Sequence, residues 1–434
     1  MLDLFRERLS AAKSLSGKSA LMAQRRFANE AKQTARQRIS IVLEGGPFLE
    51  LSSLAAFDMY GGEVHSAGVV TGIGRVRGRY MMLVSNEGAV KGGTWFEPSC
   101  RKVLRAQQLA ALFGIGCVYI VDSGGAFLPD QANVYPELFG RIFKNQAEMS
   151  ASGLCQIAVV VGLSTAGGAY VPAMCDFVII TEKGSSIFLA GPPLVKSATG
   201  EIVDSDTLGG GTMHTRVSGV TDYLARDEID ALGNVLLNLV DMLCTIQYTQ
   251  MSHTQAKRTQ TLHTQTTHTQ PPHLGEQLFC HISPICEFPG ISVSNAQIRD
   301  LSCTLLQTWG PVTATHFERV ARSIAVKSLV ILEHQWGFLD TEVPASFLKA
   351  LAKVPFKIGI VTGGCAAVAV SSKGLNPGPM FVWPDAQFKT ARKTVDAFAS
   401  TAIINDDGII EPSETGNVIY TFLDVVQTCS RASL

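Results

Sequence analysis

The sequence has no C-x-x-C pair: its ten cysteines are scattered, and the nearest two are Cys280 and Cys286. Such spacing does not suggest a disulfide-stapled scaffold and predicts reduced thiols in an intracellular compartment. No apolar run approaches the roughly 18–20 residues that cross a bilayer, so no membrane span is expected. Charge is sparse as well, at 17% of residues, and nearly balanced, with 36 basic against 37 acidic side chains. A net charge of −1 offers no general attraction to nucleic acid or to an anionic membrane. Histidines gather at His253, His263, His268, His273 and His281, but their spacing matches no zinc pattern and few carboxylates stand near, so no metal is expected. What is plentiful is apolar surface and glycine. With 434 residues, 46% hydrophobic, the chain exceeds one core and predicts about two domains. Forty glycines, many paired beside Val/Ile-rich runs, suit a backbone that must come close to a ligand.

Residues 4–43 read as helix, ended by Gly45-Gly46-Pro47; Asp3 and Glu7 among the early basic residues make its start an ordinary surface helix rather than a transit peptide. Val69 to Val84 reads as a glycine-punctuated hairpin. Helix and buried strand then alternate: Arg101 to Phe113, Cys117 to Val121, Gly140 to Ala151, Ile157 to Val161 and Phe177 to Ile180, with glycine turns at Asp122 to Gly125 and at Gly167-Gly168. That alternation predicts α/β architecture with ligands near the turns. After about Leu243 the order changes. Residues 247–273 are rich in Thr, Gln and His, bury no apolar face and predict a flexible linker. Strands at Ser328 to Leu332 and Phe356 to Val361, with Gly363-Gly364 as a following turn, predict a second α/β unit. The divisions expected are 1–243, 244–275 and 276–434.

Three glycine-rich segments carry the chemistry. D-S-G-G-A-F-L-P (Asp122 to Pro129) and S-T-A-G-G-A-Y-V-P-A-M (Ser164 to Met174) each put adjacent glycines after a strand, leaving backbone N–H groups unobstructed; G-G-C-A-A-V (Gly363 to Val368) repeats the pattern. Paired amides of this kind form a natural oxyanion hole. Taken one at a time, each reads first as a tight strand–helix turn. No acid–base constellation stands out beside them.

In order along the chain come V-K-G-G-T-W (Val90 to Trp95), L-R-A-Q-Q-L-A (Leu104 to Ala110), D-S-G-G-A-F-L-P, F-G-R-I-F-K-N-Q (Phe139 to Gln146) and S-T-A-G-G-A-Y-V-P-A-M. I-F-L-A-G-P-P-L-V-K-S-A-T-G-E (Ile187 to Glu201) and R-V-S-G-V-T-D (Arg216 to Asp222) follow. Together they resemble the carboxyltransferase β subunits of biotin-dependent acyl-CoA carboxylases, of the methylcrotonoyl-CoA type, nearly continuously from about Arg36 to Asp227. The second half is similar in fragments, L-V-I-L-E-H-Q-W-G-F (Leu329 to Phe338), G-P-M-F-V-W-P-D-A-Q (Gly378 to Gln387) and D-D-G-I-I-E-P (Asp406 to Pro412), and is shortened and divergent between them.

The resemblance implies a crotonase-like fold repeated as N- and C-terminal carboxyltransferase domains. It implies transfer of CO2 from carboxybiotin to the γ carbon of 3-methylcrotonoyl-CoA, or a similar branched acyl-CoA, in leucine degradation. Gly167 and Gly168 would hold the thioester oxygen, and residues 364–369, with Ala367 and Val368, the biotin oxygen. Lys91, Gly92, Gly93, Thr94, Gly124, Gly125, Ala166, Gly191, Lys196, Gly337 and Phe338 would line the CoA and acyl side. No Met here is followed by Lys, so the biotin would ride on a partner α subunit, which alone would use ATP. A homo-oligomer is implied, in the mitochondrial matrix if the source is eukaryotic and otherwise in the cytoplasm. Where the family is glycine-rich after its second Gly-Gly, this chain has Cys365-Ala366-Ala367-Val368-Ala369, and a β-branched Val stiffens the backbone there. A catalytically impaired homologue serving as scaffold or regulator of such a complex is therefore the alternative.

Overall fold

The computed structural model describes residues 1–14, 32–135, 137–243, 282–283, 304–308, 328–335, 353–354, 356–364, 378–389 and 394–432. The linker expected at 244–275 lies outside them.

The first sheet runs β1 (Phe48–Leu51), β2 (Val69–Val76), β3 (Arg79–Asn86), β4 (Cys117–Ser123), β5 (Gln156–Thr165), β6 (Phe177–Thr181) and β8 (Tyr223–Ala225), with β7 (Ser186–Phe188) paired to the far end of β5. β1 to β3 pair antiparallel, and β3 onward pair parallel. The β2–β3 hairpin stands where the sequence predicts it, turning on Arg77 and Gly78, both at positive φ, as a two-residue turn between right-twisted strands requires. Strands read as continuous apolar runs because both faces are covered. Cys117, Tyr119, Val121, Ala158 and Val160 face one core; Val118, Ile120, Ile157, Val159 and Val161 face the other. This is the period-2 alternation of a strand with two dry sides.

Helix α1 (Leu2–Lys13) and α2 (Ala35–Val42) replace the single helix expected over 4–43. The break has a local cause at α2: the Thr34 side chain accepts from the Gln37 N–H while Gln37 returns a bond to the Thr34 N–H at 2.8 Å, a capping box that starts a new helix. α3 (Glu97–Phe113) and α4 (Glu137–Ala151) cover the first core, and α2 covers the second. α5 (Pro192–Thr199) follows β7, capped by Gly191, with no buried residue.

The second sheet runs β15 (Thr394–Asp396), β14 (Gln387–Lys389), β12 (Phe356–Gly364), β11 (Ser328–Gln335), β10 (Thr304–Thr308) and β9 (Ile282–Ser283), with β13 (Met380–Val382) beside β12. Gly363-Gly364, expected as a turn, instead completes β12: Gly364 pairs with Gln335 across a bulge on one side and with Gln387 on the other. Pairing of Gly364 on both edges extends the strand through the two glycines. α6 (Ala397–Ala402) and α7 (Thr415–Ala432) close the chain. α7 packs on α3 through Phe113 and Phe422, ring centroids 5.1 Å apart, and Phe381 adds a further ring at 5.9 Å from Phe422. Phe5 and Ala12 of α1 join Val361, Met380 and Phe398 in a third cluster, so the first helix packs with the second half of the chain.

Candidate active site

Three glycine turns meet at the carboxyl ends of β4 and β5. After Val90 the backbone passes through Lys91, Gly92 and Gly93, all at positive φ, where only glycine is at ease. A side chain on Gly93 is impossible, since its Cβ would lie 1.9 Å from the Asp122 carbonyl oxygen. This close approach lets main chain bond main chain. The Gly124 N–H donates to Gly92 O at 3.0 Å, the Trp95 N–H to Gly125 O at 2.8 Å, and the Phe127 N–H to Trp95 O at 2.8 Å. Gly125, φ +90, abuts the third turn, its absent Cβ 3.0 Å from Thr165 O. Ala166 then takes a positive φ of 52°, a strained value for a residue with a Cβ, and Gly167 and Gly168 follow in a tight turn. Lys91, Gly92, Gly93, Thr94, Gly124, Gly125, Ala166, Gly167 and Gly168 thus belong to one cluster of loops.

The neighbours of the two central glycines differ. A Cβ on Gly168 would face inward, 3.2 Å from Ser123 Oγ and 3.7 Å from Trp95 Nε1; on Gly167 it would lie 1.8 Å from the Tyr135 hydroxyl. Ser123 Oγ accepts the Gly125 N–H at 3.2 Å, and Ser164 Oγ donates to Gly168 O at 3.2 Å. The Trp95 indole N–H is buried and has no hydrogen-bond partner among the described residues. Behind the turns, Asp122 is held by Arg38, whose Nη2 donates to Oδ2 at 3.0 Å while its Nε donates to Glu228 at 2.6 Å. Burial would lower the Arg38 pKa, but Asp122 and Glu228 carry it above its ordinary value, so the buried group stays a cation. Gly162 makes room for this anchor, because its Cβ would lie 2.1 Å from Asp122 Oδ1.

Other expected residues stand elsewhere or outside the described chain. The Lys91 ammonium pairs with Glu63. Strand β7 pairs Phe188 with Thr165 and so brings the A-G-P-P loop alongside, but Lys196 is exposed in the last turn of α5. Gly337, Phe338, Ala367 and Val368 lie outside the described residues. His214 is no free base: its ring nitrogens contact Ser218 Oγ and Ile187 O, each at 2.7 Å. Ser123, Trp95, Tyr135 and Arg38 were not picked out by sequence. Ser123 and Trp95 sit inside the glycine motifs, where a search for polar groups beside each Gly-Gly finds them; Tyr135 and Arg38 carry no local signal.

Gly167 and Gly168, bare of side chains and backed by the main-chain contacts of the neighbouring turns, form an arrangement whose amides can hold one oxygen that gains negative charge, once the Tyr135 hydroxyl lying against Gly167 is displaced. The family model described as the carboxyl transferase domain matches residues 27–273, which span all three turns. The chain belongs to the carboxyl transferase domain family. It is 54% identical over 225 residues to the biotin-dependent 3-methylcrotonyl-coenzyme A carboxylase beta1 subunit of Mycobacterium tuberculosis, covering 51% of this chain and 42% of that protein. It therefore spans less than half the length of that relative. To the mitochondrial methylcrotonoyl-CoA carboxylase beta chain of Arabidopsis thaliana it is 35% identical over 469 residues, 89% of this chain and 80% of that one. The geranyl-CoA carboxylase beta subunit of P. aeruginosa shares its fold at a TM-score of 0.76 and 23% identity, covering 99% and 93% of the two chains. As a carboxyl transferase family member, the chain has the crotonase-like fold that the sequence resemblance implies.

Proposed function

We propose that this chain is the carboxyltransferase component of an acyl-CoA carboxylase acting on 3-methylcrotonoyl-CoA or a similar branched enoyl-CoA. The observation that carries the reading is the convergence of the three glycine turns on Gly167 and Gly168. A thioester oxygen held by these amides would take on charge readily, which acidifies the conjugated γ C–H and stabilises the enolate left when its proton departs. Losing one such donor typically costs about 3–4 kcal/mol of transition-state stabilisation. Trp95 and Ser123 pack behind Gly168 and hold the turn against bulk water, while Arg38 fixes Asp122 and with it the strand end.

Biotin on a partner α subunit would supply the carboxyl group, with ATP used by that partner. Of residues 364–369, which the resemblance assigns to biotin, only Gly364 is described, and no step is routed through them. The mitochondrial name of the Arabidopsis relative supports a matrix location if the source is eukaryotic. Calorimetry with 3-methylcrotonoyl-CoA, beside a carboxylation assay reconstituted with a biotinylated α subunit, tests the proposal. Binding with ATP-dependent γ-carboxylation is expected. Binding without turnover moves the chain to the scaffold or regulator reading, and a folded protein that gives neither binding nor turnover removes the carboxyltransferase reading.

A further inference from the structure

Tyr135 ends the one-turn helix Gln131–Val134 in extended backbone, φ −105 and ψ 150, its N–H bonded to Gln131 O at 2.8 Å. Its ring leans on Phe139 with centroids 5.1 Å apart, yet the residue remains 38% exposed. From there the hydroxyl reaches the turn after β5. The point where a Gly167 Cβ would stand is 1.8 Å from Tyr135 Oη and 2.8 Å from Cζ. Burial pushes the phenol above its ordinary pKa and the Gly167 amide pulls it back, as expected of an N–H that faces the oxygen.

We infer that Tyr135 is the gate of the acyl-oxygen position: its hydroxyl rests at the Gly167 backbone where a thioester oxygen would bind, and the ring must swing toward solvent before an acyl-CoA can enter. This rests on the acyl-CoA reading of the Gly167–Gly168 turn. The alternative role, a hydroxyl that donates to the bound thioester, fails on space. Two oxygens approach no nearer than about 2.5 Å even in a strong hydrogen bond. With Oη 1.8 Å from where a Gly167 Cβ would stand, a second oxygen has no room on that face of Gly167 while the ring stays in place. Gating is feasible because the ring has an exposed side and, among the described residues, no covalent or ionic tether, whereas the buried aromatic beside it, Phe139, is fully enclosed. The site then selects for ligands that offer an oxygen in exchange. A thioester can replace the hydroxyl at the amide; a CoA thiol cannot.

The test is calorimetry on the full chain with 3-methylcrotonoyl-CoA and with free CoA, comparing wild type, Tyr135→Phe and Tyr135→Leu, with melting temperatures measured alongside. Removing a competitor worth one ordinary hydrogen bond should tighten thioester binding about three- to tenfold in both variants. Free CoA should gain nothing. Thioester affinity that is unchanged or weaker in folded variants overturns the gate while leaving the acyl-CoA reading intact. An equal gain with free CoA also overturns it, since it reports a wider cleft rather than an amide released. If neither wild type nor variants bind the thioester, the gate and the acyl-CoA reading fall together.

Discussion

The turn cluster of the first half and the attachment of the second half to it are built from different materials. Around Gly92, Gly124 and Gly167 the contacts are main chain to main chain, made possible by the lack of side chains. Between the halves only a few main-chain bonds occur among the described residues, such as Ser52 N–H to Asp407 O at 2.7 Å, and most of the buried contact is made by side chains: the rings of Phe113, Phe422 and Phe381, and the pair of Arg105 with Asp407 at 2.6 Å. The first arrangement is vulnerable to atoms added, the second to atoms removed. That difference predicts which substitutions harm chemistry and which harm folding.

The largest stability effect should come from the junction. Arg105 is 6% exposed and Asp407 not at all, and the guanidinium also donates to Gly378 O at 2.8 Å. Arg105→Met would leave a buried carboxylate whose remaining contacts include the Met380 N–H at 2.7 Å. The expected loss is about 3–5 kcal/mol in denaturant unfolding. Adding Asp407→Asn to that variant should recover part of it, and a loss under about 1 kcal/mol would show that the junction does not depend on this ion pair.

A smaller effect comes from the same helix turned toward the first half. Lys102 is buried, donates to Ser66 O at 3.1 Å, and has its pKa lowered to about 7 by burial, with Glu50 opposing and Arg36 reinforcing the shift. The unfolded lysine keeps its proton to about 10.5 and the folded one releases it near 7, so the unfolded state binds more protons between them. Stability should therefore rise with pH across that window, by at most about 1.4 kcal/mol per pH unit. Lys102→Met should remove this rise from unfolding measured at pH 7, 8 and 9; an unaltered slope would mean that Lys102 keeps its charge in the fold.

Much of the first half was legible because its strands are buried on both faces and its turns announce themselves as glycine pairs. The hairpin at 69–84 and the strands beginning near Cys117 and Ile157 follow from local pattern alone. The break at Thr34 was missed because a capping box inside a helix-favouring run leaves no apolar signal. Gly363-Gly364 differs from the expected turn because glycine marks turns on average, while pairing of Gly364 on both edges, a tertiary fact, extends β12 through it. Arg105 and Asp407 lie 302 positions apart, and Tyr135 reaches Gly167 from a separate loop, so neither contact has a sequence signature. The direction of the two central glycines was hidden for the same reason. Only the fold shows that Gly168 faces packed groups while Gly167 faces the gate.

That asymmetry supplies the most direct measurement. Gly167 has no positive φ, and its Cβ would meet only the end of a movable side chain, whereas Gly93 has φ +69 and its Cβ would strike the Asp122 backbone. Gly167→Ala should keep the wild-type melting temperature yet place a methyl group where the thioester oxygen must sit. We expect γ-carboxylation to fall about 100- to 1,000-fold per folded molecule, with acyl-CoA affinity reduced alongside. Gly93→Ala should lower the melting temperature instead. A Gly167→Ala protein with wild-type stability, acyl-CoA affinity and turnover would contradict the assignment of this turn to the reacting oxygen.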